Sequence, residues 1–97
     1  MSPKHWVRRK RYESFHFEVD LYNIYTKEKS IVAFDAETID EAERVFEVIS
    51  RNIHGAVVME GKVPGATFEP KKIRIYVNEE LYDTWSFGSS KIPDFNF

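Results

Sequence analysis

A chain of 97 residues, 42% apolar and 31% charged, has the composition of one globular domain with a single modest core. It contains no cysteine, which excludes disulfides, thiol catalysis and cysteine-bound zinc and fits a reducing compartment. The net charge of −2 rules out a basic surface over the whole protein, yet residues 1–11 hold Lys4, Arg8, Arg9, Lys10 and Arg11 with no acid, so they carry +5 against −7 for the remainder.

These first residues lack the apolar spacing of a core element and read as a basic arm over 1–11, ahead of a domain over 12–88 and an aromatic tail over 89–97. The start shows no apolar run of signal-peptide type, and no stretch approaches the roughly 18 apolar residues of a membrane span. A soluble, cytoplasmic protein without membrane contact is expected.

From Tyr12 the pattern turns to period two, with Phe15, Phe17, Val19 and Leu21 on one side and Ser14, His16, Glu18 and Asp20 on the other. That is a strand with one wet face, expected to run on through Tyr22 towards Tyr25. The short polar stretch Thr26-Lys27-Glu28-Lys29-Ser30 reads as a hairpin turn, and Ile31 to Ala36 as the return strand with Val32 and Phe34 inward.

Next comes an amphipathic helix. Ile39, Ala42, Val45, Phe46, Ile49 and Ile53 recur at helical spacing, opposite Asp40, Glu43, Arg44, Glu47 and Arg51. Thr38 with Glu41 has the form of a capping box, and Gly55 is placed to end the helix in the left-handed conformation. A lone helix of this length is marginal in water, so its apolar stripe needs a sheet to cover.

Beyond Gly55 the β-branched run Ala56-Val57-Val58-Met59-Glu60 predicts a buried central strand. Gly61 to Pro70 holds two prolines and two glycines and reads as a loop of a length often tied to binding. Lys72 to Val77 alternates, with Ile73, Ile75 and Val77 inward and Lys72, Arg74 and Tyr76 outward. Asn78-Glu79-Glu80 turns the chain, and Leu81 to Phe87 forms a last strand with Leu81, Trp85 and Phe87 on one face.

The expected fold is α+β: a single helix packed on one face of a mainly antiparallel sheet of four or five strands, in the order ββαβββ. The opening strand pair and helix resemble the β-grasp element order, a likeness of order alone.

Motifs for chemistry are sparse. His5, His16 and His54 lack metal-ligand spacing, so no metal or cofactor is expected, and His54 suits a cation near a helix C-terminus. Glu18 and Asp20 share a strand face, where acid–base carboxylates can stand, but a solvated face is the ordinary reading. Glu43 and Glu47 add a negative ridge on the helix. The Gly61-Lys62-Val63-Pro64-Gly65 run lacks phosphate-loop spacing, and no serine sits in a nucleophile elbow. No catalytic residue is assigned, and the protein is expected to be non-enzymatic.

Binding is better represented. Tyr22, Tyr25, Tyr76 and Tyr82 alternate away from the inward set, and Phe95 and Phe97 lie on the tail. Aromatics on a wet sheet face anchor protein interfaces, so the first expectation is protein–protein interaction, as in accessory factors or phage-type inhibitors and modulators. Self-association through an edge strand is a further form of it. The alternative is nucleic-acid binding by Lys4, Trp6, Arg8, Arg9, Lys10 and Arg11 together with Arg74, Lys71 and Lys72, the bases neutralising phosphates while Trp6 and Tyr12 stack.

Overall fold

The computed structural model describes residues 14–59, 68–93 and 95. The alternation from Phe15 produces β1 (Phe15–Tyr22), in which Phe15, Phe17, Val19 and Leu21 are buried and the residues between them half-buried. β1 pairs along its length with β2 (Lys29–Ala36) on one side and with β3 (Glu69–Val77) on the other; β4 (Glu80–Ser86) extends the sheet beyond β3. The order is β2-β1-β3-β4, and every neighbouring pair is antiparallel. Because β2 and β3 both oppose β1, they run parallel to each other. A hairpin cannot join parallel strands, so a crossover is required, and its described part is mainly helical.

That crossover begins with α1 (Ile39–Arg51), whose Ala42, Phe46 and Ile49 are buried, as the apolar spacing requires. Thr38 Oγ1 accepts from the Glu41 N–H at 3.1 Å, while the Glu41 carboxylate accepts from the Glu37 N–H at 2.9 Å, one residue before the helix cap. The helix does not run to Gly55. Asn52 closes it, and the Asn52 side-chain oxygen accepts from the Gly55 N–H at 3.2 Å, starting a second helix, α2 (Ile53–Met59). A Cβ at position 55 would stand 2.6 Å from Asn52 Nδ2, so glycine here makes room for a cap rather than ending a helix.

The expected central strand over Ala56–Glu60 is therefore corrected as far as it is described: Ala56 to Met59 are helical, and Ala56 and Val57 bury their side chains. The element order is ββααββ, with four strands.

Further boundaries differ. β2 starts at Lys29, inside the expected turn, and β3 at Glu69, inside the expected loop, of which residues 61–67 lie outside the described residues. β1 stops at Tyr22 instead of reaching Tyr25, because Asn23 Oδ1 accepts from the N–H groups of Tyr25 and Thr26 at 2.9 and 3.0 Å and bends the chain early. In β4, Ile75 pairs with Asp83 but Tyr76 pairs with Leu81, so the strand holds one extra residue. That bulge puts Leu81 opposite outward-facing Tyr76, 58% exposed, while Trp85 stays buried; the two do not share a face as expected.

The core lies between the inner sheet face and the helices. Phe46 meets the Trp85 ring edge-on at 5.3 Å, and Phe95 contacts Phe15, Phe17 and Phe46 at 6.3, 6.1 and 5.9 Å. Phe95 is only 3% exposed. The tail residue expected as a free anchor has folded back into its own core; Phe97 lies outside the described residues.

Candidate functional site

Among the described residues, the helices pack on one face of the sheet and the other face carries the polar members of the alternation. Register brings them together: His16 lies between Asp35 of β2 and Tyr76 of β3, and Glu18 lies beside Arg74. Asp20 is directly opposite Lys72. This outer face is the candidate site.

Its centre is Arg74. One guanidinium nitrogen donates to Asp20 Oδ2 at 2.7 Å and another to Glu18 Oε1 at 3.2 Å. The side chains of Arg74, Glu18 and Asp20 are only 22 to 29% exposed, so this fork is held far more firmly than a solvated ion pair. The hydrogen bond to Asp20, and then that to Glu18, outweigh burial and hold the arginine in its charged form.

His16 extends the network towards β2. Its Nδ1 lies 2.7 Å from Asp35 and its Nε2 3.1 Å from Glu18. Only the imidazolium can donate from both nitrogens. The Asp35 hydrogen bond is the main force raising the His16 pKa above its ordinary value; burial opposes it, and Glu18 adds to it. For Glu18 the largest influence is burial, which pushes its carboxyl up, but the hydrogen bonds and charges of His16 and Arg74 together hold it below the usual range. Tyr76 completes the group, with its ring 5.8 Å from His16 and its hydroxyl 3.4 Å from Glu18 Oε1.

With both nitrogens engaged by carboxylates, His16 has no free lone pair with which to take a proton from a substrate. No group of three or more His, Cys, Asp or Glu side chains among the described residues is placed to hold a metal. What the face offers is a fixed guanidinium, fixed carboxylates and half-buried tyrosine, flanked by exposed apolar side chains: Leu81 opposite Tyr76, and Ile31 (57% exposed) opposite Asp20.

The expected binding residues separate into groups. Tyr22 and Tyr76 both lie on this face at opposite ends of the sheet, with Lys71 Nζ 5.4 Å over the Tyr22 ring. Near Tyr22, a groove of about 620 Å³ is lined by Ile31, Lys29, Lys71 and Lys72. Tyr25 is 76% exposed in the hairpin turn, and Tyr82 is 41% exposed at the β4 bulge, next to Leu81, which pairs with Tyr76. Arg74, expected as a phosphate contact, is neutralised by two carboxylates. Lys4, Trp6, Arg8, Arg9, Lys10 and Arg11 lie outside the described residues.

Sequence reasoning placed Glu18, Asp20 and His16 on one face but did not join them to Arg74 or Asp35. The signal was the alternation itself; the missing datum was the strand register, which links residues 56 apart. His54, assigned to a helix C-terminus, instead lies within α2 and stacks on Phe68 at 4.3 Å. No protein-family model matches the chain, and no curated protein or solved structure matches it. No helix among the described residues is long and apolar enough to cross a membrane.

Proposed function

We propose that this α+β domain is a non-enzymatic binding module that recognises another protein through the outer face of its sheet. The observation that supports this most is Arg74, fixed between Glu18 and Asp20 beside Tyr76 on a face that no described helix covers. Arginine and tyrosine dominate the energetics of protein interfaces, and a side chain already held in place loses little entropy on docking. An acidic surround also selects against nucleic acid and favours a partner surface with complementary basic groups. The biological role expected of such a module is that of an accessory factor or an inhibitor.

The test is affinity capture from a native lysate with the wild-type chain and with Tyr76→Ala and Leu81→Ala. A discrete protein retained by the wild type and released by both variants, each with an unchanged circular dichroism spectrum, is the expected result. Equal retention by all three chains contradicts the assignment to this face.

Nucleic-acid binding is the second reading, favoured by the Lys29, Lys71 and Lys72 side chains around the groove near Tyr22 and by the +5 of residues 1–11. It predicts affinity for DNA or RNA that collapses between low and physiological salt and is removed by Arg8→Ala with Arg9→Ala.

A further inference from the structure

β2 forms one border of the sheet, and among the described residues nothing pairs with its outer edge. The direction of its free backbone groups can be read from the hairpin. The Asn23 N–H donates to the Glu28 carbonyl at 2.9 Å, and the β1–β2 register continues from that pair without a shift. Antiparallel strands alternate hydrogen-bonded and non-hydrogen-bonded pairs, so Lys29, Ile31, Ala33 and Asp35 turn their N–H and C=O groups away from β1. Their side chains lie on the outer face.

The two borders differ in protection. β4 is bent by its bulge and carries Glu80 and Asp83, features that discourage strand addition. β2 has neither bulge nor proline over its eight residues, and it exposes Ile31. Its two charges, Lys29 and Asp35, have opposite signs and sit at opposite ends.

We infer that β2 pairs antiparallel with β2 of a second copy of this chain, about a two-fold axis, to make one continuous sheet. Outward-pointing groups must meet outward-pointing groups, so odd-numbered residues face odd-numbered residues and the helices of both copies fall on the same face. One register places Lys29 opposite Asp35 of the partner subunit and Ile31 opposite Ala33 of the partner subunit. It sets unlike charges together at both ends and seats the exposed isoleucine beside the smallest side chain of the strand. Shifting by one residue pair in either direction breaks the ion pairs, bringing Ile31 against its own copy or against Asp35.

The helix side of the same border fits this contact. A groove of about 280 Å³ runs between α1 and β2, lined by Phe34, Val45 and Val48 with Glu41 and Arg44 also on its wall. Val48 is 44% exposed, so apolar surface continues from the strand to the helix flank. This interface meets the Arg74 network at Asp35, the partner of His16, and stands whether or not the outer face binds another protein; its effect is to set two outer faces side by side.

Sedimentation equilibrium of the full chain tests it. The mass should rise with concentration from 11.5 kDa towards twice that value. Ile31→Pro removes an N–H that β1 does not use and should weaken the dimer by about tenfold or more. Lys29→Glu should weaken it as well, and Lys29→Glu with Asp35→Lys should restore it; the urea midpoint of each variant, read beside its mass, separates lost pairing from the lost His16–Asp35 contact. A mass of 11.5 kDa at every concentration overturns the inference. So does a dimer whose affinity is the same in the wild type, Ile31→Pro and Lys29→Glu.

Discussion

His16 and Asp35 stand directly opposite each other across the β1–β2 pair, with Nδ1 of the ring 2.7 Å from the carboxylate. They occupy a non-hydrogen-bonded position, where cross-strand side chains approach most closely. The folded pKa of His16 is raised above 6.5, so the stability this contact adds is fully present below pH 6.5 and is lost as pH rises through the folded value. An NMR titration should place the His16 midpoint above 6.5 in the wild type and bring it down towards 6.5 in Asp35→Asn. Denaturation curves at pH 5.5 and 8.5 should differ less in that variant. A wild-type midpoint at or below 6.5 contradicts the geometry.

The opposite pH limb belongs to Glu18. Its folded pKa lies below 4.5, so the stability of its contacts is present above 4.5 and is lost as pH falls through the folded value. Arg74→Ala leaves Glu18 and Asp20 close together without their shared cation, and should cost about 1 kcal/mol at neutral pH after allowing for their partial exposure. Urea denaturation should show the difference shrinking as pH falls through the folded value of Glu18, where its carboxyl takes up a proton. A cost that does not change with pH assigns Arg74 a packing role instead.

The β3–β4 turn carries removable strain. Asn78 and Glu79 both have positive φ, 50° and 72°, in a two-residue hairpin that favours Asn-Gly. Glycine occupies the second position without the Cβ conflict. Glu79→Gly should therefore stabilise the fold by about 0.5 to 1 kcal/mol, raising the melting temperature by about 4 °C. An unchanged or lowered melting temperature would show that Glu79 contributes an offsetting interaction.

Phe95 is part of the domain core. It is buried against three phenylalanines, so Phe95→Ala should cost about 3 kcal/mol, measured as a lower urea midpoint with little change in slope. A loss below about 1 kcal/mol would mean that the contact is dispensable.

Much of this architecture was legible from spacing. The period-two run from Phe15 buries every residue its period selects, and the helical stripe from Ile39 buries Ala42, Phe46 and Ile49 and packs Ile39 and Val45 half-buried beside them, because one face of each must leave water. What failed was local and depended on single side chains. Val57 and Val58 favour strands, yet Asn52 caps a new turn of helix before them, and a short apolar run carries no period of its own to arbitrate. Leu81 was assigned the wrong face because one bulged residue shifts every alternation beyond it. The Arg74 network was invisible for a different reason: its members meet only through strand register, a property of the whole sheet.

The most direct measurement is amide chemical-shift mapping of the labelled chain on addition of the protein it captures. Docking on the outer face should move the resonances of Glu18, Arg74, Tyr76 and Leu81 and leave the exposed residues of α1 unchanged. Shifts confined to α1, with Arg74 and Tyr76 undisturbed, would contradict it.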